Sequence, residues 1–415
     1  MGTLPSVFIP IGGEATRLLP LTADVSKAGV RFLNRPLIEI STVSFAKQGV
    51  RNFILGIKGF INYRSLHDYF GVGMGVSARY KISPRVHLRY APNVPDVGSA
   101  DSARISLDYY GIEGNTIVAQ CDNIADINLR DFLDFHQKKE SVFTIALTQV
   151  ENVEDFGIAD LDEDSRIKQF LEKPSKDEVT SDLASTGIYV MSHEMRKIFN
   201  DPAVMKMREK GRLDFGKDVI PYLLRNGYPV YGYVMRGLWY DIGSPKAYLR
   251  AMKEILDHGQ KFLDLGSPID NRNVWIEGQS PESISKMEVI KTKILNGLVS
   301  INDPVLVGRH CSIGDGSNIR SSCIDNFTII GSDVEIDSSA ILDRSIIGDG
   351  AKISNSIIGR HVTIKSSKSS PTSITDTTII GDGCTVGEGC QIQGSQIYPN
   401  QRISDGIVVS NEIVQ

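Results

Sequence analysis

Residues 307–341 read Val307-Gly-Arg-His-Cys-Ser-Ile313-Gly-Asp-Gly-Ser-Asn-Ile319-Arg-Ser-Ser-Cys-Ile324-Asp-Asn-Phe-Thr-Ile-Ile330-Gly-Ser-Asp-Val-Glu-Ile336-Asp-Ser-Ser-Ala-Ile341. A β-branched residue recurs at steps of 6, 6 and 5, so one period takes 17 residues. The pattern continues through Ile347, Ile353, Ile358 and Ile364. After extra residues near Ser366–Thr375 it resumes at Ile380, Val386, Ile392 and Ile397. An α-helix would give steps of 3 and 4. A hairpin array would not hold this period. Three short strands per coil, each turning one branched residue inward with Gly, Asp, Asn and Ser at the corners, account for it. The stacked coils form a domain over 303–415.

Towards the amino terminus the pattern changes. The segment 251–302 reads as a connector: helical at Ala251–Leu256, then aperiodic around Gly266–Pro268 and Gly278–Pro281. Residues 1–250 alternate apolar runs with longer amphipathic stretches. The runs lie at Val7–Ile11, Asn52–Ile57, Thr116–Ala119, Val142–Leu147, Ala184–Met191 and Tyr231–Val234. Amphipathic stretches include Pro36–Gln48, Ser102–Tyr110 and Leu129–Lys138. This alternation predicts an α/β domain, a mainly parallel sheet with helices on both faces. Ligands on such sheets sit beyond the carboxyl ends of the strands.

At that edge stands Ile9-Pro-Ile-Gly-Gly-Glu-Ala-Thr-Arg-Leu-Leu-Pro-Leu-Thr-Ala-Asp-Val-Ser-Lys27. Val7, Phe8, Ile9 and Ile11 predict a buried strand. Gly12 and Gly13 allow a tight turn whose N–H groups approach a ligand. Arg17 and Lys27 add positive charge, so the segment suits a polyphosphate. It is neither the dinucleotide fingerprint nor a Walker A loop.

Composition narrows the function classes. A chain of 415 residues accommodates two or three domains. Its formal net charge of -5 argues against nucleic acid or an anionic membrane as partner, while leaving room for a local basic pocket. The five cysteines form no CxxC pair, which fits a reducing cytoplasm. No signal peptide opens the sequence and no run approaches a membrane span.

Two acids fit a metal. Asp122 ends the apolar run in Val118-Ala-Gln-Cys-Asp-Asn123, and Asp241 precedes a glycine turn in Leu238-Trp-Tyr-Asp-Ile-Gly-Ser-Pro245. Two carboxylates from distant segments can share Mg²⁺ while phosphate oxygens and water complete its shell. Glu172-Lys-Pro174 sets a charge pair before a rigid proline.

Taken in order, GGEATRLLPLT, SK, GSAD, CDN, FG, EKP, STGIY, DFGKDVIP and WYDIGSP resemble the sugar-1-phosphate nucleotidyltransferases (NDP-sugar pyrophosphorylases) over roughly residues 5–250. The coiled domain resembles the hexapeptide-repeat left-handed β-helix carried by several branches of that family, including ADP-glucose and mannose-1-phosphate enzymes. Its left hand is implied by that resemblance and is an exception to the right-handed crossover rule. The implied fold is a Rossmann-like nucleotidyltransferase domain followed by a left-handed parallel β-helix.

The implied reaction is NTP plus sugar 1-phosphate giving NDP-sugar and pyrophosphate. Glucose or mannose 1-phosphate is the expected acceptor and Mg²⁺ the expected cofactor. By resemblance, Gly12 and Gly13 cradle the nucleotide and Gly98 packs beside the base. Arg17 holds the leaving phosphates and Lys27 approaches the α-phosphate. Asp122 and Asp241 ligate Mg²⁺. Lys173 grips the sugar phosphate, Glu172 accepts from sugar hydroxyls, and Gly157 and Thr186 line the sugar pocket. A cytoplasmic homo-oligomer is expected.

The sequence departs from the family pattern in several places. Ala15 stands where the turn usually has its last glycine. If that position takes positive φ, alanine is strained by roughly 1 kcal/mol; otherwise it merely stiffens the loop. Ser26 replaces a common proline, and Ser185 a common asparagine. The base-reading glutamine has no clear counterpart near Pro92 and Asn93. Two alternatives follow: a non-catalytic regulatory subunit of the same fold, or a bifunctional enzyme whose β-helix is an acyltransferase using His310 or His361.

Overall fold

A computed structural model describes residues 4–13, 15–91, 95–258, 265, 268–269 and 272–415. The chain divides into two units. One comprises Met1–Gly13 and Ile38–Tyr240, the other Glu14–Leu37 and Asp241–Gln415.

The strands before the coiled region are β1 (Ser6–Ile11), β2 (Arg31–Phe32), β3 (Arg35–Pro36), β4 (Asn52–Ile57), β5 (His87–Tyr90), β6 (Thr116–Ala119) and β7 (Asn123–Ala125). They continue with β8 (Phe143–Gln149), β9 (Gly157–Leu161), β10 (Ile167–Glu172), β11 (Leu183–Met191), β12 (Val230–Val234) and β13 (Trp239–Asp241). In the first unit they build a nine-stranded sheet in the order β10-β9-β11-β6-β1-β4-β5, with β8 against β11 and β12 against β8.

Central β1 is parallel to both neighbours, with Val7 opposite Phe53 and Ile117. Its residues Val7, Phe8 and Ile9 are wholly buried, as a strand covered on both faces requires. Helix Ser99–Tyr109 packs on β1 and β4, and helix Leu129–Lys138 packs on β8 and β12. Asn128 caps the latter, accepting from the backbone of Arg130 and Asp131.

The sheet is parallel only over β5-β4-β1-β6 and β8-β12. β11 runs antiparallel to β6, β8 and β9. A buried apolar run reads the same in either direction, so its sense is not visible in sequence. Asp162, Glu163 and Asp164 form the exposed turn of the β9–β10 hairpin, while Asp160 and Lys168 lie in its strands.

In the second unit the three sides of the coil appear as three columns. Ile313, Ile330, Ile347, Ile364, Val386 and Ile403 stack on one side. Ile319, Ile336, Ile353, Ile374, Ile392 and Val409 stack on the second. Ile324, Ile341, Ile358, Ile380, Ile397 and Val414 stack on the third. This is the parallel β-helix expected from the repeat, with the left hand that the family resemblance implies. Each buried branched side chain contributes about 1.5–3 kcal/mol against entropy.

Sequence periodicity missed Ile374, because an insertion separates it from Ile364. It also missed a strand at Val274–Ile276 that pairs in parallel with Val305–Val307 and opens the stack. A helix, Pro281–Leu295, follows that strand, capped by Ser280 with proline in its first turn. The segment read as a connector therefore carries regular structure.

One corner column holds non-glycine residues in the left-handed region: His310, Phe327, Arg344 and His361, with φ of 59°, 59°, 61° and 56°. The amides of Phe327, Arg344 and His361 bond the preceding coil, as from Phe327 N to Arg309 O (2.9 Å) and from Arg344 N to Asn326 O (2.9 Å). That ladder offsets the backbone strain.

Candidate functional site

β1 ends at Ile11, and Gly12 and Gly13 follow as exposed backbone with ordinary φ. A β-carbon on Gly12 would approach Cβ of Lys58 to 3.1 Å, a tight contact. Lys58 follows β4 and donates its amide to Ile11 O (2.9 Å). Its Nζ reaches the carbonyl of Asp96 (3.3 Å) and lies 3.8 Å from the Asp96 carboxylate. Burial raises the Asp96 pKa, opposed by Lys58 and the Gly98 amide. The strand beside β1 thus leads into a lysine next to the glycine turn. The sequence reading passed over it.

Gly98 sits at the start of helix Ser99–Tyr109 with φ 150°. A β-carbon there would meet Leu213 O at 2.6 Å and Asp214 Oδ1 at 2.8 Å. The protein itself therefore excludes a side chain at this point. Pro92 and Asn93 lie outside the described residues.

β9 and β10 bring Gly157 opposite Glu172. A β-carbon on Gly157 would meet the Phe170 ring first and also lie 2.8 Å from Glu172 Oε2, and one on Gly216 would lie 2.6 Å from that oxygen. Two glycines thus open a seat for one carboxylate. Glu172 remains solvent-accessible overall, yet this partial desolvation raises its pKa, with Lys173 and Lys217 opposing and Asp214 reinforcing. Lys173 has φ 53° and donates its amide to Phe156 O (2.9 Å). Lys173 is thus a non-glycine residue in the left-handed region next to the Glu172 carboxylate. Phe156 meets Trp239 edge-on, ring centroids 5.1 Å apart.

Asp122 lies between β6 and β7. Its neighbour Asn123 donates from Nδ2 to Thr186 O (2.7 Å) and accepts at its carbonyl from Ser41 Oγ (3.0 Å). Thr186 sits in the irregular part of β11 between Ser185 and Tyr189. It is fully buried and donates its hydroxyl to Ala146 O (2.8 Å). Expected as a pocket-lining residue, its hydroxyl is instead engaged inside the sheet. Its carbonyl also accepts from Trp239 Nε1 (3.1 Å). Thr186 thereby fixes the loop of Asp122 and the indole of Trp239.

The second unit holds the other expected residues. Ala15 has φ 46° and ψ 38°, so the conditional strain at this position is real. Its carbonyl accepts from Leu18 N (3.1 Å) and Thr22 Oγ1 (3.0 Å), which tie down the turn before Arg17. Arg17 is exposed. A β-carbon on Gly243 would lie 2.6 Å from Asp241 Oδ2 and 3.0 Å from an Arg17 guanidinium nitrogen. Gly243 thus lets a carboxylate and a guanidinium converge. Lys27 opens a short 3-10 turn, Lys27–Gly29, behind buried Ser26.

Within the first unit the structure brings Gly157, Glu172 and Lys173 together. Within the second it gathers Arg17 and Asp241. Carboxylate oxygens from Asp122 and Asp241 are the hard donors that suit Mg²⁺. His310 stacks on Phe327 with ring centroids 4.7 Å apart, and His361 occupies the equivalent corner position. Among the described residues no helix is long and apolar enough to cross a membrane.

Residues 8–258 match the family model described as Nucleotidyl transferase, and residues 295–414 match that described as GMPPB C-terminal domain. Among curated proteins, the low-salt glycan biosynthesis nucleotidyltransferase Agl11 of Haloferax volcanii is 29% identical over 80% of this chain and 89% of its own length. A glucose-1-phosphate adenylyltransferase of Desulforamulus reducens is 27% identical over 81% of this chain and 84% of its own. Among solved structures, a UDP-glucose pyrophosphorylase complexed with UDP-glucose superposes with a TM-score of 0.51 at 21% identity, covering 60% of this chain and 97% of that one. That likeness concerns the fold.

Proposed function

The chain belongs to the nucleotidyl transferase family, and on that premise we propose that it transfers a nucleotidyl group from an NTP to a hexose 1-phosphate, glucose or mannose 1-phosphate, releasing pyrophosphate. The observation that carries the reading is the seat of Glu172, a carboxylate held between Gly157 and Gly216 with Lys173 beside it. An acceptor next to a cation suits a ligand bearing both hydroxyls and a phosphate.

In this reading a sugar-phosphate oxygen attacks the α-phosphorus of the NTP. The new P–O bond forms as the bond to the β-phosphate bridging oxygen breaks, and pyrophosphate departs with that electron pair. Glu172 accepts from sugar hydroxyls and Lys173 holds the sugar phosphate. The amides of Gly12 and Gly13 face the nucleotide. Arg17 neutralises the leaving phosphates and Lys27 the charge developing at the α-phosphate. No covalent nucleophile is required, because positioning and charge neutralisation lower the barrier. Asp122 and Asp241 would hold Mg²⁺, which supplies Lewis-acid neutralisation of the phosphates.

The test is pyrophosphate release across ATP, UTP, dTTP and GTP, each with and without glucose or mannose 1-phosphate. Release only when both substrates and Mg²⁺ are present is the expected result. No release from any pair would overturn the assignment and favour the regulatory-subunit reading, to which the strained Ala15 lends its one structural support.

A further inference from the structure

The segment 14–37, bearing Arg17 and Lys27, belongs to the same unit as the β-helix. Its hairpin β2–β3 turns through Leu33 and Asn34, with φ of 47° and 66°. Two consecutive left-handed residues form the tight hairpin turn that Asn-Gly or Gly-Gly would normally supply. A leucine there is strained, and it persists because the surroundings hold it: Leu33 is 1% exposed.

The β-helix supplies those surroundings. Arg31 pairs through Nε with Asp325 and donates a second nitrogen to Asp325 Oδ1 (2.8 Å). Its Nε also lies 3.3 Å from Asp343. Asp343 in turn binds Arg360 (2.6 Å). Tyr248 donates its hydroxyl to Arg31 O (2.7 Å), and Arg35 reaches Glu277 (2.6 Å). Asn34 donates to Glu277 (3.1 Å) and accepts from the thiol of Cys323 (3.0 Å).

We infer that Asp325 and Asp343 are positioning residues for the transferase reaction, acting through Arg31 on the segment that carries Arg17 and Lys27. This rests on the reading that those two side chains serve the triphosphate. A buried, hydrogen-bonded ion pair is a poor stabiliser compared with packed apolar residues, but it fixes geometry. Arg31 lies four residues beyond Lys27, within one short turn and the start of β2. An anchor so close in sequence limits how far the lysine can wander. The β-helix is then part of the catalytic apparatus and not solely an assembly module.

The decisive variant is Asp343→Asn, which leaves the Arg31–Asp325 pair in place and keeps the coil buried. Hydrogen exchange and steady-state kinetics are read on the full chain. Expected are amides in 15–33 exchanging roughly 10-fold faster, with β1, β4 and β6 unchanged. Expected too is kcat reduced roughly 10-fold to 100-fold with the KM for sugar 1-phosphate held. Asp343→Glu should recover part of kcat. Asp325→Asn should give a larger effect of the same pattern. Unchanged exchange in 15–33, a uniform rise across the whole chain, or a loosened segment with full kcat would each overturn the inference. Failure of Asp325→Asn to fold leaves Asp343→Asn to decide. If the unaltered protein turns over no substrate pair, the reaction assignment falls, while exchange still reports the clamp.

Discussion

Glu172 in the sheet unit and Asp325 in the β-helix unit are both carboxylates whose pKa is raised chiefly by loss of water. Their surroundings nevertheless differ in kind. Asp325 is 1% exposed, and the Arg31 guanidinium closes on it. Glu172 stays open to solvent, seated by two absent side chains and flanked by lysines at a distance. The first arrangement satisfies the carboxylate with the chain itself, so its function is to hold. The second leaves acceptor capacity open to solvent, which suits the ligand-receiving role proposed for it. A raised carboxylate pKa does not separate these cases. The completeness of the hydrogen-bond shell does.

The largest expected effect sharpens that contrast. Asp325→Ala leaves Arg31 buried without its main counter-charge, and should cost about 3–5 kcal/mol of stability by urea titration. Glu172→Gln should instead cost roughly 10-fold to 100-fold in kcat/KM, as loss of hydrogen bonds to a charged acceptor does. Its melting temperature should hold or rise. The reason is linkage: an acid whose folded pKa is raised contributes stability below its unfolded pKa and loses it as pH climbs through the folded value. Near neutrality the ionised Glu172 is therefore a net burden on the fold. A fall in melting temperature matching that of Asp325→Ala would erase the distinction.

A smaller effect follows from the flanking charge. Lys217 favours the ionised form of Glu172. Lys217→Gln should therefore push that pKa further up and move the acid limb of kcat/KM to higher pH. A limb that stays put would dissociate Glu172 from the pH dependence. The smallest effect concerns Ala15→Gly. Relief of roughly 1 kcal/mol of left-handed strain is opposed by about 0.4–1 kcal/mol of added unfolded-chain entropy, so the melting temperature should shift little. Turnover should change by no more than about fivefold, the equivalent of 1 kcal/mol. A much larger gain would mean that alanine cripples the turn and would favour a regulatory role.

What could be read in advance differs between the units for a physical reason. In the β-helix every inward position repeats the same environment, so Ile313, Ile319 and Ile324 announce their own columns. In the sheet unit, strands such as β4 and β6 were legible as apolar runs with their observed ends. β5, with alternating exposure along His87–Tyr90, and the charged β9–β10 hairpin were not. Within the candidate site, the glycine turn and Glu172-Lys173 stood out by their spacing. The site was not legible where it depends on approach between distant segments. Lys58 beside Gly12, Gly216 beside Glu172 and Gly243 beside Arg17 are examples. Left-handed Lys173 left no sequence mark, since lysine is not a residue that signals this conformation. The engagement of the Thr186 hydroxyl with Ala146 O left no sequence mark, because a hydroxyl's partner is a matter of three-dimensional neighbours.

The lengthened coil after Ile364 has a practical consequence. The steps from Ile358 to Ile380 and from Ile364 to Val386 are 22 residues each, where other coils take 17. All three columns nonetheless stay aligned. The surplus is absorbed between Ile364 and Ile374, where Lys368 reaches back to Asp333 (2.5 Å), and by left-handed Asp376 and Thr377. The coil thus already accommodates extra length while its columns keep their register. For an engineer, that bulge marks the natural port for grafting a peptide tag or affinity handle, because the cost of loop closure grows only logarithmically with length.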